Sequence, residues 1–152
     1  MDALRFLKHC HRKLNHLFTR SNRINAFDQK RRIFKKIKKA LLAHSRIEQG
    51  IFYPAIESRE QLDRLVLESN KKHRHVQVLV RGIDALLSEN KPCDPEVKIL
   101  QETVSKWNED EEQKLFPRVR ELLDRDTLNA LGKQFERAIG REPSHSATFS
   151  HQ

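Results

Sequence analysis

The stretch LLAHSRIEQGIFYP, Leu41–Pro54, decides the reading of the chain. Leu41, His44, Glu48 and Ile51 recur at spacings of three and four, so they share one face of a helix. Upstream, Ile33 and Ile37 extend the same face. A face that is apolar except for a His and a Glu one turn apart is a buried face with chemistry in its middle.

The same signature recurs outward from this segment. Leu4, Leu7, His11, Leu14 and Phe18 form a first stripe. Val66, Ser69, His73, Val76, Val80, Ile83 and Leu87 form a third, and Val97, Leu100, Val104, Trp107 and Glu111 a fourth. Four amphipathic helices predict an all-α fold, an antiparallel up-down-up-down four-helix bundle. Asp2 caps a first helix to about Arg20, and the loop SNRINAF follows. The second helix runs from about Asp28 to Phe52 and stops near Pro54. Ser58-Arg59-Glu60-Gln61 has the capping-box pattern and opens a third helix to about Leu87. After the loop SENKPCD, Asp94-Pro95 opens a fourth helix to about Leu123, bent at Pro117. Asp126 opens a short C-terminal fifth helix ending near Ile139-Gly140. The expected domain is 1–140, with 141–152 (REPSHSATFSHQ) a disordered tail.

The two halves also echo one another. Glu48 stands six residues before Pro54 in EQGIFYP, and Glu111 six before Pro117 in EEQKLFP. His44 precedes Glu48 by four, as Trp107 precedes Glu111. His11-Arg12-Lys13-Leu14 echoes His73-Arg74-His75-Val76. Two similar helical hairpins would bring matching residues around one centre.

That centre holds His11, His44, Glu48, His73 and Glu111. An unpaired buried carboxylate costs several kcal/mol at least, and no Lys or Arg lies in the stripes beside these two. A metal ion is the economical partner; the competing reading is a metal-free polar core. Phe52, Tyr53 and Phe116 read as core residues closing helix ends. His9, His16, His75 and Cys10 fall off the stripes.

Composition bounds the rest. With 152 residues, 37% hydrophobic and 34% charged, the chain suits one soluble domain. Cys10 and Cys93 form no disulfide framework, and neither a signal peptide nor a membrane span is recognisable. A cytoplasmic protein is expected. The net charge of +9 is concentrated in residues 1–40, especially KRRIFKKIKK. Such a run reads as a solvated face or as a surface for a polyanion or acidic protein.

On His11, His44-x-x-x-Glu48…Tyr53-Pro54, His73 and Glu111…Phe116-Pro117, the chain resembles the haemerythrin-like, His-His-Glu cation-binding family over roughly residues 3–123. The resemblance implies a non-haem di-iron centre with Glu48 and Glu111 as bridges and His11, His44 and His73 as terminal ligands. It implies a role in binding or sensing oxygen or a related small ligand, or in handling iron. It departs at Trp107, where the family has a His, and an indole cannot ligate a metal. Two metals, one metal or none remain compatible with the residues. The alternatives are a degenerate, metal-free bundle working as an interaction module through its basic second helix, and an oxidase- or peroxidase-like enzyme.

Overall fold

Asp2 caps the first helix: its carboxylate accepts from the Arg5 backbone N–H at 2.8 Å, and α1 runs Ala3–Asn22. The computed structural model describes residues 1–140; the expected tail, 141–152, lies outside the described residues. The second helix, α2, spans Phe27–Ile47.

The chain does not stop before Pro54. Proline has no N–H and its ring crowds the carbonyl four residues back, which in an α-helix would be that of Gly50. The backbone relieves this by widening into a π-helical turn, Glu48–Phe52, in which the Tyr53 N–H bonds to the Glu48 carbonyl. A single α-turn, α3 (Tyr53–Ile56), continues past it. Pro117 acts identically. Helix α5 (Asp94–Asp110) widens into a second π turn, Glu111–Leu115, with the Phe116 N–H on the Glu111 carbonyl, and resumes as α6 (Phe116–Leu122). The expected stop at Pro54 and bend at Pro117 are thus one device used twice.

Between these units, the expected capping box at Ser58 does not form. A 3₁₀ turn, Glu60–Leu62, leads into α4 (Asp63–Ser88), and neither start has a side-chain cap bond. Asp94 lies inside α5 as its first residue rather than ahead of it. The last helix, α7 (Arg125–Gly140), is capped by Asp124, whose carboxylate accepts from the Thr127 N–H at 2.8 Å.

Helices α1 and α2 pack as one close hairpin and α4 and α5 as another; the α1–α5 and α2–α4 interfaces that join the hairpins are sparser. Helix α7 lies against α1. Its Gly132 permits that approach, since a Cβ there would fall 2.1 Å from the Met1 carbonyl oxygen. No described helix is long and apolar enough to cross a membrane.

The apolar core is in two parts. One gathers Leu4, Leu7, Phe52, Ile56, Phe116 and Phe135 at the α7 end. The other gathers Leu14, Phe18, Ile37, Ile83 and Leu100 at the opposite end. On each helix the residues that separate the two parts are polar: His11, His44 with Glu48, Ser69 and Glu111 are all buried. Each buried Leu or Phe contributes about 1.5–3 kcal/mol. A pair of unsatisfied buried carboxylates would undo several such contributions.

Candidate metal centre

Four elements deliver side chains to this polar layer. His11 comes from the middle of α1, His44 from the last turn of α2, and Glu48 and Glu111 each from the first residue of a π turn. One donor atom from each of His11, His44, Glu48 and Glu111 lies within 4.8 Å of the others, and all four residues are buried. The His11 and His44 rings meet edge to face at 4.9 Å between centroids. His44 Nε2 contacts Glu48 Oε1. His73, from α4, is at the margin of this group: its Nε2 lies 3.4 Å from Glu48 Oε1 and its side chain is 13% exposed. The structure therefore brings all five sequence-identified residues to one place, four of them in a tight cluster.

Tyr53, expected as a core filler, is buried but reaches the centre. Its hydroxyl is in donating distance of Glu48 Oε2 at 3.0 Å and Glu111 Oε2 at 2.8 Å, and it lies 3.0 Å from His73 Nε2. A single hydroxyl proton serves one of these acceptors at a time. The π turn makes this reach available: widening the helix turns residue i+5 back toward residue i, so Tyr53 faces the side of Glu48. Two further residues grip the histidines from outside. Glu112 Oε2 bonds His11 Nδ1 at 2.7 Å, and Ser45 Oγ bonds His73 Nδ1 at 2.8 Å. Cys10, off the stripe, is also buried, beside the His44 ring.

The charges are strongly interdependent. Burial opposes ionisation of Glu48, but the charge of His44 in contact with it and the close approach of His73 outweigh burial and hold this carboxyl well below the usual range. Glu111 is pushed up to about 7, by burial first and by the charge of Glu48 second. Burial would lower both buried imidazoles. For His44 the charge of Glu48 reverses this, and for His11 the neighbouring carboxylates of Glu111 and Glu112 do so, and both are raised. Burial, then Glu48 and Glu111, raises Tyr53 well above the usual phenol value.

Even so, the protein does not satisfy this layer. His11 Nε2, both ring nitrogens of His44 and Glu111 Oε1 are buried without a hydrogen-bond partner. Of these, His11 Nε2, His44 Nε2 and Glu111 Oε1 lie against the cluster, and imidazole nitrogen with carboxylate oxygen suits iron, manganese or zinc better than calcium. The residues fit a cation.

Beside the cluster lies a cavity of ≈ 40 Å³, walled by Leu14, Leu41, Val76 and Val104 and by Trp107. Trp107 is half-buried rather than a core residue, and its ring packs on the exposed His75 at 5.3 Å. It supplies no ligand atom to the cluster.

A family model described as Hemerythrin HHE cation binding domain matches residues 2–119. Neither a curated protein nor a solved structure matches the chain significantly.

Proposed function

The chain belongs to the haemerythrin HHE cation-binding family, and from that premise we propose that it is a non-haem iron protein, located in the cytoplasm. It would bind or sense oxygen or a related small ligand, or handle iron. The observation that carries this reading is the convergence of His11, His44, Glu48 and Glu111 within 4.8 Å, with several of those buried atoms lacking a hydrogen-bond partner. Glu48 and Glu111 would hold the metal from the two π turns, and His11, His44 and His73 would complete the set. When bound, iron supplies reversible one-electron chemistry and open coordination positions.

The chain's own residues do the rest. The hydroxyl of Tyr53 keeps a proton between the two carboxylates. Leu14, Leu41, Val76 and Val104 give the cavity an apolar side, and Ser69, Lys72 and Asn108 give it a polar one. At ≈ 40 Å³ that cavity has room for about two or three water-sized molecules. That volume fits a diatomic ligand.

Metal analysis with optical spectroscopy, on protein made in iron-supplemented medium, tests the proposal. The expected result is about one to two irons per chain and an absorption spectrum that responds to oxygen. Protein that holds no iron, and whose melting is unchanged by added iron, would overturn it in favour of the second reading. That reading, a metal-free interaction module, draws on the outward basic face of α2, where Arg32, Lys35, Lys36 and Lys39 are exposed.

A further inference from the structure

The two ring nitrogens of His11 face different surroundings. Nε2 looks into the centre, 3.4 Å from Glu111 Oε1 and without a hydrogen bond. Nδ1 looks outward and bonds Glu112 Oε2 at 2.7 Å. His73 is arranged the same way, with Nε2 turned toward Glu48 and Tyr53 and Nδ1 bonded to Ser45 Oγ at 2.8 Å.

The outer partners have a common origin in the sequence. Glu112 follows Glu111, and Ser45 follows His44. Successive residues on a helix project about 100° apart. When Glu111 or His44 faces the centre, its successor is therefore turned toward the adjoining helix. Both bonds cross an interface between the two hairpins, one from α1 to the second π turn and one from α2 to α4. They differ in charge: His11 is gripped by a carboxylate, His73 by a neutral hydroxyl.

We infer that Glu112 is a positioning residue of the metal centre. It fixes the His11 ring with its proton on Nδ1 and Nε2 free for the metal, and its negative charge makes His11 a stronger donor than His73. A carboxylate behind a metal-bound imidazole orients the ring and raises its basicity. The inference rests on the proposed metal-binding reading, and it makes the two sides of the centre electronically unequal.

The test compares full-length wild type, Glu112→Ala and Glu112→Gln. Nitrogen NMR of the His11 ring, on metal-free protein at alkaline pH, reports the tautomer. Anaerobic titration with ferrous iron reports affinity, and a redox titration of the iron-loaded protein reports potential. Wild type keeps its proton on Nδ1. Glu112→Ala loses that preference and binds iron about 10–100-fold more weakly. Glu112→Gln, whose amide oxygen still accepts from Nδ1, keeps the tautomer and loses less affinity, but its iron becomes easier to reduce. If wild type binds iron and Glu112→Ala matches it in both tautomer and affinity, the role of Glu112 falls while the metal reading stands. If wild type takes up no iron, the metal reading falls and takes this role with it.

Discussion

Tyr53 is the residue whose position changes most between a reading by helical period and the folded chain. Its hydroxyl is a neutral donor in reach of both buried carboxylates, at 3.0 and 2.8 Å. Removing it leaves them without that donor. Tyr53→Phe is expected to lower the stability of the metal-free protein by about 1–3 kcal/mol, read from chemical denaturation; an unchanged midpoint would show that the hydroxyl does not serve the carboxylates. Trp107 raises the opposite question. It stands four residues before Glu111, as His44 stands before Glu48, and it lines the cavity. A His there would supply a ligand on the face that lacks one. Trp107→His should raise the amount of iron bound under identical loading, at a cost of about 1–3 kcal/mol in the metal-free form because volume is lost. Equal iron in mutant and wild type would mean that position 107 is not a ligand position. The five candidate ligands were legible because each interrupts an apolar stripe. Tyr53 was not, because the i to i+5 relation to Glu48 exists only in a π turn. Glu112 was hidden beside Glu111, since spacing alone cannot say that it reaches across to His11.

At the scale of elements, the two π turns matter most. Each is set by a proline six residues after a carboxylate, and each starts at that carboxylate. π turns of this kind occur often at functional sites. The sequence signalled both places through Pro54 and Pro117, but not the form taken there. The penalty for proline can be met by ending a helix, bending it or widening it, and packing decides. The capping box expected at Ser58 failed for a similar reason: a 3₁₀ turn already supplies the entry to α4. Asp124 replaces Asp126 as the start of α7, and it carries a pH dependence. The Thr127 backbone N–H, first, holds its carboxyl below the ordinary value. A depressed folded value means that the stabilisation is present above the unfolded value and is lost as pH falls through the folded one. Asp124→Ala should therefore lower the melting temperature near neutral pH, and the difference from wild type should shrink to nothing in strong acid. A difference that persists there would assign the effect to something other than the charged cap.

The whole molecule is two helical hairpins joined across a polar layer that divides the apolar core. The stripes of apolar residues made the all-α bundle legible from the sequence, because the period that forms a helix also fixes which face it buries. The basic N-terminal part is less uniform than its composition suggested. Lys38 pairs with Asp84 on α4 and Lys30 with Asp94, whereas Arg32, Lys35, Lys36 and Lys39 face outward. If this face takes a polyanion, changing Lys35, Lys36 and Lys39 to Gln should abolish binding to nucleic acid, and wild-type binding should weaken steeply with salt. Absence of binding at low salt would leave a solvated face. The central claim is that the cluster between the hairpins exists to hold a metal, and equilibrium titration of metal-free protein with ferrous iron, under anaerobic conditions, tests it most directly. Wild type should take up about one to two equivalents, and its melting temperature should rise with free iron, because a ligand bound by the folded state alone stabilises it. The double variant Glu48→Gln, Glu111→Gln should stay folded, since it removes buried charge, yet lose that iron. A variant that binds as much iron as wild type, with the same rise in melting temperature, would contradict the account.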